Sequence, residues 1–301
     1  MLFKGRKTFG GNHRATIPMP IRDSIFPLFQ SRTLTYIGSL ALGVGLYSFL
    51  PILLTSYLNS EFGKIPSQFH AALSLVLGWL LVFRTNSAYA RWWEARTLWG
   101  SLVNSSRNLA IKLTCLTKLT DDDVRILQKP LATFPIALME HLRRPASPGQ
   151  SSRSDGQSSD WDHLPAKLVQ EIYLWIGSAK ANGKIDGHEL RVIDLELAKL
   201  LEICGGCERI ARTPIVRSYR TFARQCILLF LLSLPWGISN DFGWWTIPLA
   251  IITTYFMLGM EIVAEHVEEP FGLDEDDLDL EGLCKTIELS VAEIFENRNV
   301  A

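Results

Sequence analysis

Charged residues vanish from this chain in four places, and the spacing of those gaps sets the first expectation. Between Arg32 and Glu61 lie 28 uncharged residues, rich in Leu, Ile, Tyr and Gly. A helix of about 20 residues crosses the hydrocarbon core of a bilayer, so the first gap predicts a membrane helix over about 33–58. It begins too far from the N-terminus and runs too long for a cleaved signal peptide, and is expected to be retained. The second gap, Ile65 to Phe83, holds 19 residues and follows a six-residue connection, Asn59 to Lys64. The third, Gln225 to Asn240, holds 16 and contains Pro235; the fourth, Phe242 to Met260, holds 19 and opens on Phe-Gly-Trp-Trp. Sixteen residues suit a buried soluble helix as well as a short span, so both readings stand for the third gap.

Between the second and third gaps the pattern changes to that of amphipathic helices. Tyr89, Trp92, Trp93, Leu98, Trp99, Leu102 and Leu109 carry the second helix straight on, from 65–83 to about 115. A Ser- and Pro-rich stretch, about 145–165, has too little apolar surface to offset the entropy of ordering and reads as a surface loop. Helical periodicity resumes over Lys167 to Ser178 and His188 to Ile210, where Leu190, Ile193, Leu197, Leu200, Leu201 and Cys204 form one stripe. The expected fold is all-α. It has membrane helices at about 33–58, 65–83, 218–238 and 242–264, and a cytoplasmic helical layer over about 84–217 and 278–297.

Composition narrows the picture. Of 301 residues, 48% are hydrophobic and 20% charged, and mean hydropathy is +0.14, which excludes a disordered chain. A net charge of −1 gives no bulk attraction to nucleic acid. The placement of the basic residues says more: 29 of the 30 fall on one side of a four-span arrangement, and Lys64 alone on the other. Lys and Arg accumulate on the cytoplasmic side, so both termini and the long middle segment are expected there.

Catalytic signatures are missing. There is no nucleophile elbow, phosphate loop, zinc-protease helix or dinucleotide fingerprint, and the six histidines show no ligand spacing. Cys204 and Cys207 make a single CxxC without a second pair to complete a zinc site. No enzyme activity is expected. Leu75, Trp79 and Phe83 recur at i, i+4 and i+8 and share one face of the second helix. Such a line packs against other helices, or forms an apolar constriction around a symmetry axis that gates by dewetting.

The segment Arg84-Thr-Asn-Ser-Ala-Tyr-Ala-Arg-Trp-Trp-Glu-Ala-Arg-Thr-Leu-Trp-Gly100 resembles the signature that follows the pore-lining helix of the bestrophin family of ion channels. Cys207-Glu-Arg-Ile-Ala-Arg-Thr-Pro214, Glu268-Glu-Pro-Phe-Gly-Leu-Asp-Glu-Asp-Asp-Leu278 and Leu283-Cys-Lys-Thr-Ile-Glu288 resemble later landmarks of that family, in the same order. The resemblance points to a prokaryotic homologue. It implies a homopentamer with one axial pore, four membrane helices per subunit, and residence in a plasma membrane, the inner membrane in a bacterium. Its neck would fall on Leu75, Trp79 and Phe83, one aliphatic and two aromatic rings. Aromatic edges carry partial positive charge and would favour a partly dehydrated anion.

The resemblance also implies a second aperture, placed at Ile185, where helix packing is the competing role. It further implies a calcium clasp at Asp274 and Asp277, with Glu269 and His266 at the remaining positions. Glu and His there depart from the family pattern, and bacterial relatives generally lack calcium control, so no cofactor is required. The run Glu265 to Glu281 holds nine carboxylates and no Lys or Arg, which fits a solvated tail too. An EF-hand fit of Asp277, Asp279, Glu281, Gly282 and Glu288 fails on Glu at the fifth position. The implied function is a passive anion channel, chloride first, whose partners are its own copies, small monovalent ions and lipid. The alternatives are a sodium-conducting channel of the same architecture and a secondary transporter, although the chain shows no internal repeat of the transporter kind.

Overall fold

The computed structural model describes residues 32–58, 66–144, 163–274 and 276–299. The basic residues before Arg32, the connection with Lys64, most of the Ser-rich loop and Glu275 lie outside these. The described residues form helices and no strand: α1 (Arg32–Tyr47), α2 (Phe49–Leu58), α3 (Ser67–Leu116), α4 (Asp121–Arg143), α5 (Leu164–Ala181), α6 (Gly187–Arg212), α7 (Arg217–Phe242), α8 (Thr246–Glu268) and α9 (Leu280–Glu296). Short 3₁₀ turns lie at Gly243–Trp245 and Asn297–Asn299.

Three stretches are long and apolar enough to cross a membrane: Thr35–Leu54, Ser67–Leu116 and Arg217–Glu268. The third carries two of the four charge gaps. It divides at Gly243, whose φ of +52° lies in the left-handed region that glycine adopts without steric cost. Proline explains the other break, between α1 and α2: Pro51 has no N–H to donate one turn back, and the helix is interrupted at Ser48.

The chain forms two compact units. In the first (described residues 32–58, 66–74 and 227–259), Ile37, Ala41 and Ile52 are buried, and Trp236 Nε1 donates to the Tyr47 hydroxyl at 2.6 Å. Helices approach closely at Gly237, where a Cβ would stand 2.2 Å from Nδ1 of the buried His70. His70 Nε2 lies 3.2 Å from Ser233 Oγ.

The second unit (75–226 and 260–299) holds a continuous apolar core in which α4 packs against α5, α6 and α9. Thr120 and Asp123 form a capping box at the start of α4, and Asp186 with Glu189 forms another at α6. Asp123 does more than cap: its Oδ1 accepts from Trp175 Nε1 at 2.9 Å and its Oδ2 from Lys184 Nζ at 2.6 Å. Burial by itself pushes this carboxyl up, but the bonds from Lys184, Thr120 and Trp175 outweigh it and hold it well below its ordinary value of 3.8. One side chain thereby fastens α4, α5 and the α5–α6 connection. Ile185, in that same connection, is 3% exposed and part of the core. This burial agrees with the packing role, and the aperture role is left as what the resemblance implies.

Candidate functional site

Helix α3 shows two faces where it opens the second unit. Leu77, Leu81, Arg84 and Ala88 recur at helical spacing and are all buried. Leu75, Trp79 and Phe83 stand on another face, 66%, 66% and 60% exposed. Among the described residues these large apolar groups are left mostly uncovered. Beyond Phe83 the helix turns polar at once.

What fixes that rotation is the charge that follows. Arg84 is fully buried, with Nη2 2.7 Å from Glu268 Oε2 and Nε 3.6 Å from Glu261 Oε2. The approach to Glu268 is off the hydrogen-bond directions, so the pair is an ion contact rather than a directed bond. Glu268 uses its other oxygen to accept from Ile215 N at 3.0 Å, and Glu261 also pairs with Arg224 at 3.2 Å. A buried arginine whose partner is removed leaves an uncompensated charge, so α3 cannot roll about its axis without breaking this cluster.

Two turns along, Arg91 closes helix ends. Its guanidinium donates to Ile210 O at 2.7 Å, Thr213 O at 2.6 Å and Glu268 O at 3.3 Å, satisfying carbonyls that the ends of α6 and α8 leave unpaired. Trp92 Nε1 donates to Asp276 O at 3.1 Å, and Arg209 pairs with Glu94. The segment Arg84–Gly100 therefore touches the segments around Cys207–Pro214 and Glu268–Leu278. Three blocks far apart in sequence form one junction.

Residues 17–293 match the family model described as Bacterial/Fungal Bestrophin protein. The chain belongs to the bestrophin family. Among bestrophin relatives, a voltage-dependent anion channel-forming protein of Nostoc sp. is 34% identical over 73% of this chain and 75% of its own length. Another so named, of Mesorhizobium japonicum, is 30% identical over 92% of this chain and 90% of its own. The crystal structure of a bacterial bestrophin homolog from Klebsiella pneumoniae shares the fold, with a TM-score of 0.76 at 24% identity, over 87% of this chain and 98% of that one. The names of these bestrophin relatives are those of channel proteins and not of enzymes.

The turn after α8 does not gather the four residues assigned to a calcium clasp. Asp277 Oδ2 already accepts from Asp274 N at 2.6 Å, and its Oδ1 is buried without a partner. Burial pushes the Asp277 carboxyl up, and the neighbouring Asp274 and Asp276 charges add to this, so it resists ionising. His266 Nδ1 faces Asp276 Oδ2 at 3.8 Å. Among the described residues, no three ligating atoms of Asp274, Asp277, Glu269 and His266 lie within 4.8 Å of one another. Calcium at this turn is therefore an expectation of the resemblance alone.

Burial pushes the Cys204 and Cys207 thiols up to about 12, so the CxxC holds two protonated, packed thiols. The histidines gave no ligand spacing in sequence, yet folding brings His141 and His163 together with Glu208. Separations of 67 and 45 residues from Glu208 left no local signal of this.

Proposed function

We propose that the chain is one subunit of a homopentameric, passive anion channel, with chloride as the leading ion. Five copies of α3 would surround one axis, with Leu75, Trp79 and Phe83 facing the ion path as a hydrophobic neck. The observation that carries the reading is the pairing of an exposed apolar face with a clamped opposite face on one helix. An apolar constriction of this kind passes an ion only when the ion sheds part of its water. Aromatic edges at Trp79 and Phe83 offer a partial positive charge that stabilises a dehydrating anion without trapping it.

Four membrane helices (α1 with α2, the first part of α3, α7 and α8) would place both termini and the long middle segment in the cytoplasm, since 29 of the 30 basic residues would then lie there. The names of the relatives, voltage-dependent anion channel-forming proteins, agree with the anion reading.

Replacing Leu75, Trp79 and Phe83 together by Ala tests the neck in planar bilayers. A wider, better wetted neck should raise unit conductance several-fold, whereas an unchanged current would return these side chains to helix packing.

A further inference from the structure

We propose that His141, His163 and Glu208 form a binding site for a divalent late transition-metal ion, zinc foremost, on the second unit. The site is independent of the channel reading. His141 lies in the last turn of α4, His163 caps the start of α5, and Glu208 projects from α6. Their ligating atoms lie within 4.8 Å of one another. Glu208 Oε1 stands 2.7 Å from His141 Nε2 and 2.9 Å from His163 Nε2, and the two rings are 4.6 Å apart at a 39° tilt. Both imidazoles therefore aim the same nitrogen at one carboxylate oxygen.

Two imidazoles and a carboxylate are a preferred donor set for zinc, which takes three protein ligands and leaves a fourth position for water. A hard ion such as calcium would want more oxygens. The side chains are 14%, 36% and 21% exposed, which lets an ion enter from solvent while shielding the bonds it makes. Spreading a 2.7 Å hydrogen bond to the spacing of two ligands on one ion needs only a slight opening of the cluster. Arg212, 3.3 Å from His141 Nε2 and 3.6 Å from Glu208 Oε1, is the one cation at the site among the described residues, and at 62% exposed it is free to swing into water.

His163 shows what binding must exchange. Its Nδ1 accepts from Ala166 N at 3.1 Å, so in the neutral ring the proton sits on Nε2 and is donated to Glu208. Metal binding at Nε2 needs the other neutral tautomer: the proton leaves Nε2 and, exchanged through solvent, the ring is protonated at Nδ1, which ends the cap bond from Ala166 N. Three coordinate bonds replace two hydrogen bonds to Glu208 and the cap, and the ion ties α4, α5 and α6 together.

The test uses the full chain, purified, stripped with EDTA and dialysed against micromolar zinc chloride. Elemental analysis should find one zinc per subunit, with a rise in thermal midpoint that EDTA reverses. The His141→Ala/His163→Ala double variant and the near-isosteric Glu208→Gln should each weaken binding more than ~10-fold, with helix content by circular dichroism confirming that they fold. Cobalt in place of zinc should give ligand-field bands without thiolate charge transfer. No retained zinc, equal uptake by folded variants, or a thiolate band marking Cys204 as ligand would each overturn the site.

Discussion

Glu268 is the residue on which the junction behind the exposed face depends. Its removal leaves Arg84 fully buried with Glu261 3.6 Å from its Nε. Glu268→Gln should therefore cost about 3–5 kcal/mol, seen as a lowered thermal midpoint in detergent. An apolar pair, Arg84→Met with Glu268→Met, should recover much of that loss, and a silent single variant would show the contact to be dispensable. Asp123 makes a second prediction through pH. Its folded value is depressed below 3.8, so its stabilisation is in place above about pH 4 and is lost as pH falls through the folded value. Melting curves taken downward from about pH 6 should show an acid loss that Asp123→Asn blunts; an identical acid limb in both proteins would refute this. Neither role was legible in the sequence. Arg84 opens the family-like segment directly after the second charge gap, but its partners lie 177 and 184 residues away in the chain, and those of Asp123 lie 52 and 61 residues away. At Ile185 the resemblance offered an aperture and helix packing was the competing role, and burial in the folded core favours packing.

At the scale of elements, periodicity carried further because it depends on neighbours along the chain. The expectation for the second helix ran from 65 to about 115, and α3 occupies Ser67–Leu116. No proline interrupts the passage from the apolar run into the amphipathic one, so a single helix carries both patterns. Asp241, the only charge between the third and fourth gaps, separated the two expected spans, whereas length and hydropathy alone join α7 and α8 into one stretch. Close helix approach was not legible, because it depends on which glycine faces which side chain. Gly237 is such a place: a Cβ there would fall 2.2 Å from His70 Nδ1. Gly237→Ala should destabilise the first unit by about 1–3 kcal/mol, the usual cost of overpacking, and His70→Ala should relieve it. A neutral Gly237→Ala would mean the helices part without penalty.

For the whole molecule, the motifs were recognisable because their residues meet. The segments carrying Arg84, Arg91 and Trp92, Ile210 and Thr213, and Glu268 and Asp276 converge on one junction, so the order seen along the chain reflects a single packed object. What the chain does as an assembly turns on the face left uncovered beside that junction. Unitary currents of many ions per millisecond would set a pore apart from a carrier, whose uptake saturates and couples. The most direct measurement is the reversal potential of the purified channel in a planar bilayer under a sodium chloride gradient. An anion-selective pore reverses near the chloride equilibrium potential; a value near that of sodium would contradict anion selectivity.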